Sequence, residues 1–316
     1  MANNNHKLWN NEYFKTIITI VLIVIVVFGL WFGVQTVLGT EYPALAVAST
    51  SMLPTLKVGD LIIVQKVDAA NLNAHYQTGD IVVFKSPTDG KLIVHRAVKK
   101  ELRNNEYWII THGDNNPPDA KEKFPETYLV GKVIAKIPYI GNLALLIHSD
   151  GNWYIFTVII IILIIIFLMF PLGSEEKEEK PERERKILEK IDLKIIYLAI
   201  LNILIISFAV FSLWGNLTFW QPGADPPQLT AIHGMFADLQ FHESFNHYSY
   251  NHVVEALLSQ GFLTYTINDQ MVDGSLRLGI PTFSWFQFSI ITLIAVNIWQ
   301  FYGFWRRKKT EKPNAL

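Results

Sequence analysis

Four apolar stretches, residues 16–38, 153–171, 195–214 and 283–304, constrain this chain more than anything else in its sequence. Each approaches or exceeds the roughly 20 residues that a helix needs to cross a bilayer core. None contains a charged residue. A buried helix of a soluble domain imitates one such run, but not four. The expectation is a membrane protein with four transmembrane helices.

Basic residues near the ends of such runs mark the cytoplasmic side. The tail 305–316 carries Arg306, Arg307, Lys308, Lys309 and Lys312, and the loop 172–194 carries seven further Lys and Arg residues. Segment 215–282 carries one, Arg277. The tail, the loop and the N-terminus 1–15, with Lys7 and Lys15, are therefore expected inside. Segments 39–152 and 215–282 are expected outside. The small-x-small string Ala46-Val47-Ala48 resembles a signal-peptide cleavage site, but the run before it has 23 residues. A cleavable signal core has about 7–15, so the first run reads as a retained anchor.

The net charge of −1 gives no basic surplus for a nucleic-acid partner. With no cysteine, disulfides, thiol nucleophiles and Cys-ligated metals are excluded.

Segment 39–152 alternates short apolar runs with turn signals, the pattern of an all-β domain. Strands are expected at 44–48, 61–67, 81–84, 92–98, 106–111 and 128–137, with Asn104-Asn105 as a hairpin turn. In 215–282, Val253, Val254, Leu257 and Leu258 at helical spacing predict a helix over 251–262. A strand at 262–267 and a turn at Asp273-Gly274 follow, so this segment reads as small and mixed α/β. Asn216-Leu217-Thr218 is a glycosylation sequon close to a membrane exit. The first half of the charge-dense loop from Ser174 reads as solvated, and 183–194 as a helix running into the third span. Inside the last two spans, Asn202 and Asn297 fall at equal depth. Amides in lipid need partners, so the two are expected to contact each other.

Ten residues past the first span comes Ser49-Thr50-Ser51-Met52-Leu53-Pro54-Thr55. A hydroxyl nucleophile needs a base within reach and donors for the oxyanion. Pro54 restricts the local backbone and suits a rigid, exposed serine turn. His95, within the expected strand 92–98, supplies an imidazole that takes and returns a proton near neutral pH. His112 is its nearest rival. Asp114 and Asp119 sit in Gly-Asp-Asn-Asn-Pro-Pro-Asp, and two readings stay open for them. Either one carboxylate orients His95, or both only shape a turn. His233, His242, His247 and His252 lack the spacing of a helical metal site, so no metal and no cofactor is expected.

The string Ser-x-Ser-Met-x-Pro-Thr, with His95-Arg96 and Gly113-Asp114-Asn115-Asn116, resembles the His-type, archaeal and endoplasmic-reticulum-like branch of signal peptidase I over about residues 40–140. The resemblance implies a membrane-bound serine endopeptidase that removes signal peptides from exported preproteins. It implies Ser51 as nucleophile, His95 as base, an orienting aspartate at Asp114 or Asp119, and an oxyanion hole from Ser49 and the Ser51 amide. The second acidic-box aspartate of that branch follows the first by about six positions, whereas Asp119 follows Asp114 by five. From residue 174 onward nothing resembles the family. The implied partners are preprotein signal peptides, membrane lipid and the protein-translocation machinery. The extra spans favour the cell membrane, multi-pass, with the catalytic domain outside, over the endoplasmic reticulum. Two other readings are a specialised peptidase with few substrates and a non-catalytic scaffold.

Overall fold

A computed structural model describes residues 12–148, 193–220, 229–244 and 253–310. The run 153–171 and nearly all of the loop 172–194 lie outside the described residues. The first helix, α1, spans Glu12–Leu38. Seven strands follow: β1 Ala44–Ala46, β2 Leu61–Gln65, β3 Ile81–Lys85, β4 Leu92–Arg103, β5 Glu106–His112, β6 Lys121–Pro125 and β7 Leu129–Ile137. Helices α2 (Gly141–His148) and α3 (Leu193–Trp214) come next. After them stand β8 Asn216–Trp220, β9 Leu229–His233, α4 Met235–Ser244, β10 Val253–Gly261, β11 Thr264–Met271, β12 Leu276–Arg277, β13 Thr282–Phe283 and α5 Trp285–Thr310.

The expected strands of 39–152 are all present, and β6 is an addition. Asn104 and Asn105 both take positive φ, 48° and 66°, as the two central residues of a tight hairpin require. Ile81, Val82, Val83 and Phe84 are all buried. Strand β3 is therefore covered on both faces, which is why it reads as an unbroken apolar run. Ile81 and Val83 join a core with Met52, Leu56, Ile62 and Val133. Val82 and Phe84 join a second core with Ile109 and Phe124.

Segment 215–282 is not a separate small module. The main sheet runs β10-β11-β13-β7-β3-β4-β5-β6, so strands from 39–152 and 215–282 share one sheet. The join is the parallel pairing of β13 with β7, Thr282 opposite Lys136, with the Lys136 N–H donating to Pro281 O at 2.9 Å. A buried charged cluster seals the same junction: Lys57 meets Asp238, Lys136 Nζ lies 3.5 Å from Asp60 Oδ2, and His242 Nδ1 lies 2.8 Å from Asp269 Oδ1. The expected helix over 251–262 is corrected by this sheet, because β10 pairs with β11 along its length. A bulge between Val253 and Glu255 shifts the register there. It puts the buried Val253 and Ala256 three residues apart, a spacing that imitates a helix.

Two described helices are long and apolar enough to cross a membrane, over Ile196–Trp214 of α3 and Trp285–Gly303 of α5, and α1 carries an apolar stretch over Val24–Leu38. The expected Asn202–Asn297 contact is present. Asn297 Nδ2 donates to Asn202 Oδ1 at 2.6 Å. Each amide also donates to the carbonyl one turn earlier, Leu198 O at 2.9 Å and Leu293 O at 2.8 Å. Such a pair is worth about 1 kcal/mol. Asn202→Cys with Asn297→Cys is expected to crosslink under mild oxidation, in a chain with no native cysteine. Failure, while cysteine pairs elsewhere on α3 and α5 crosslink, would refute the pairing.

Candidate active site

The serine string forms a tight loop between β1 and β2. The Leu53 N–H donates to Thr50 O at 3.1 Å and the Leu56 N–H to Met52 O at 2.8 Å. Met52 and Leu56 are sunk into the core, while Ser49 and Thr50 are exposed and Ser51 is half-buried. The apolar residues thus anchor the loop from below and leave two hydroxyls at the surface, Ser49 Oγ and Ser51 Oγ, 3.2 Å apart. From the other side, the acidic loop holds the string by its backbone. The Asn115 N–H donates to Ser51 O at 2.8 Å, and Asn115 Nδ2 to Thr50 O at 3.2 Å. A Cβ at Gly113 would fall 2.8 Å from Ser51 O, so glycine is required for this approach.

Asp114 lies beneath this contact, completely enclosed. Arg96 grips it with a fork, Nε to Oδ1 and Nη2 to Oδ2, both at 2.8 Å. Thr55 Oγ1 donates to Oδ2 at 2.6 Å. Arg96 also donates to Gly79 O at 2.8 Å and Leu278 O at 3.1 Å. Burial alone would push the Asp114 carboxyl up. The charges of Arg96 and Arg277, with the Arg96 and Thr55 bonds, outweigh it and hold the group far below the usual carboxylate range. Asp114 thus joins three pieces of chain: the serine loop through Thr55, strand β4 through Arg96, and its own turn.

His95 precedes Arg96 in β4, so the two side chains leave on opposite faces. His95 is 5% exposed. Its Nδ1 lies 2.9 Å from Glu122 Oε2, and Thr111 Oγ1 donates to the same oxygen at 3.1 Å. The register explains the meeting. Ala97 opposes Thr111 and Thr111 opposes Glu122, so His95, two residues before Ala97, shares their face. Burial pushes the Glu122 carboxyl up, but the bonds from His95 and Thr111 outweigh it and hold the group below its ordinary value. A carboxylate on Nδ1 favours the tautomer whose lone pair is on Nε2, the nitrogen a base needs.

The carboxylate expected on His95 is that of Asp114 or Asp119; in this geometry the carboxylate that meets it is Glu122. Asp114 is committed to Arg96 and Thr55. Asp119 is exposed, and its side chain makes no hydrogen bond among the described residues. The rival His112 instead places Nε2 2.9 Å from Pro117 O. Among the described residues no hydrogen bond joins Ser51 Oγ to His95. Glu122 escaped the sequence reading, although one signal was available. Lys121-Glu122-Lys123-Phe124 alternates, and Glu122 falls in phase with the buried Phe124.

Comparisons with known proteins give the family. A family profile described as "Signal peptidase, peptidase S26" matches residues 11–109. The signal peptidase complex catalytic subunit sec11 of Neurospora crassa is 33% identical over 139 residues, 42% of this chain and 78% of that protein. The subunit SEC11C of Canis lupus familiaris is 28% identical over 151 residues, 45% of this chain and 77% of that protein. These relatives also overturn the expected cell-membrane location. They are subunits of the signal peptidase complex of fungi and mammals, which points to the endoplasmic-reticulum membrane. The chain belongs to the signal peptidases of family S26, serine-type endopeptidases that remove signal peptides.

Proposed function

We propose that Ser51 attacks the scissile carbonyl of a preprotein, with His95 as general base and Glu122 as the carboxylate that orients it. His95 returns the proton to the leaving amine, while Glu122 stabilises the transient imidazolium. Ser49 Oγ and the Ser51 N–H donate to the oxyanion. The observation that carries this reading is the pair of tethers already described: a serine pair held at the surface, and a histidine whose Nδ1 meets Glu122 at 2.9 Å.

The layout that goes with it is a chain of four spans, with 39–152 and 215–282 on the side away from the cytoplasm. All three long described helices support that placement. The C-termini of α1 and α3 and the N-terminus of α5 adjoin the strands. Signal peptides would reach the site at the membrane boundary, in contact with lipid and supplied by the translocation machinery. By likeness to its relatives the chain would act with the other subunits of a signal peptidase complex. The test is cleavage of a synthetic preprotein by the full chain in detergent. The wild type is expected to cut after a small residue and to be indifferent to chelators. Ser51→Ala is expected to leave the substrate intact. Undiminished cleavage by Ser51→Ala, or its loss with EDTA, would overturn the reading.

A further inference from the structure

The stretch 276–282 reaches the underside of the catalytic loops at two points, Leu278 and Ile280. Leu278 O accepts from Arg96 Nη2 at 3.1 Å, on the guanidinium that grips Asp114. Arg277, 2% exposed, directly precedes Leu278, and its charge helps to hold the Asp114 carboxyl low. Ile280 belongs to the same apolar core as Met52 and Leu56, the residues that anchor the serine loop. The stretch is itself fixed at both ends. Arg277 pairs with Asp269 in the β11–β12 ladder, and Thr282 pairs with Lys136 of β7. Between them, the Gly279 N–H donates to Asn268 Oδ1 at 2.9 Å, and a Cβ at Gly279 would fall 2.1 Å from Ile267 O.

We propose that 276–282, which lies in the part of the chain with no resemblance to the family, belongs to the catalytic frame: Arg277 and Ile280 are positioning residues that hold the serine and acidic loops in register with His95. The proposal rests on the reading of Ser51 and His95 given above. Arg96 and Asp114 couple the serine loop to the base strand, and a charge or carbonyl removed from beneath them shifts both loops together. Displacement of about 1 Å at a reacting group costs on the order of 10²-fold in rate. Such a loss falls on kcat, because the substrate is still bound but held out of line.

The experiment is preprotein cleavage by full-length Arg277→Met, Arg277→Lys and Ile280→Val in detergent. Rates are expressed per folded molecule, with the folded fraction taken from near-ultraviolet circular dichroism. Arg277→Met is expected to lower kcat at least about tenfold with KM changed less than about threefold. Arg277→Lys, which keeps the charge, is expected to recover most of that loss, and Ile280→Val, one methyl smaller, to lower kcat by about twofold to fivefold. Normal kcat per folded molecule in both Arg277→Met and Ile280→Val would overturn the proposal, and so would a loss carried by KM. If Arg277→Met yields no folded protein, Ile280→Val decides alone. Ser51→Ala in the same assay separates the two readings. If it still cleaves, the assignment of the nucleophile has failed. If it is inactive while the other variants match the wild type, only the positioning role has failed.

Discussion

Glu122→Gln is expected to lower kcat for preprotein cleavage by on the order of 10²–10⁴-fold with little change in KM. Glutamine is nearly isosteric, so β6 and its pairing with Thr111 persist. What changes is the partner of His95 Nδ1, 2.9 Å from Glu122 Oε2. A carboxylate accepts the Nδ1–H hydrogen bond there and stabilises the imidazolium that forms as Ser51 is deprotonated. A neutral amide gives no such stabilisation and allows the other tautomer, with the proton on the nitrogen that should accept one. Asp119→Asn is expected to be nearly silent, because that side chain is exposed. The assignment fails if Glu122→Gln turns over normally while Asp119→Asn does not.

Arg96→Met is expected to cost about 3–5 kcal/mol of stability, because it strands a buried carboxylate whose fork of hydrogen bonds has gone. Asp114 would keep Thr55 and the nearby charge of Arg277, but not the two 2.8 Å bonds. Adding Asp114→Asn is expected to restore part of the loss, since a neutral amide is less costly to bury than an unpaired charge. The wild-type pair also carries a pH signature. Asp114 is held far below the ordinary carboxylate range in the fold, so the unfolded chain binds its proton first. Its contribution is complete above the unfolded value of about 3.9 and is lost as pH falls from there toward the folded value. Thermal unfolding in detergent at pH 7 and pH 3 tests both points. The wild type is expected to lose more on acidification than Arg96→Met. An Arg96→Met midpoint equal to wild type at pH 7 would show that the pair does not hold the loops.

What was legible in the sequence is what depends on neighbours in the chain. The strand starts, the Asn104–Asn105 turn and the serine string are local signals. The Asn202–Asn297 contact was legible because a helix has a fixed rise, and two amides in lipid have few other partners. The carboxylate that meets His95 Nδ1 was not legible. Whether Asp114 or Glu122 meets His95 depends on which face of β4 each residue takes and on the register of β5 and β6, neither of which is encoded within one stretch. Asp114 drew attention because of its acidic turn, yet its fork with Arg96 gives it to the opposite face. Strand β10 was misread because its bulge replaced alternation with a three-residue spacing. The merger of 215–282 with the catalytic sheet was hidden for another reason. The pairing that joins them involves the two-residue strand β13, too short to leave a pattern.

The most direct measurement of the central claim is the rate of preprotein cleavage by folded His95→Ala, with the products identified by mass spectrometry. The account predicts no cleavage above the uncatalysed level, with wild-type circular dichroism, because the proposed mechanism leaves Ser51 no other base. Cleavage at the same bond and at a rate near wild type would show that the base is another group, and would contradict the account.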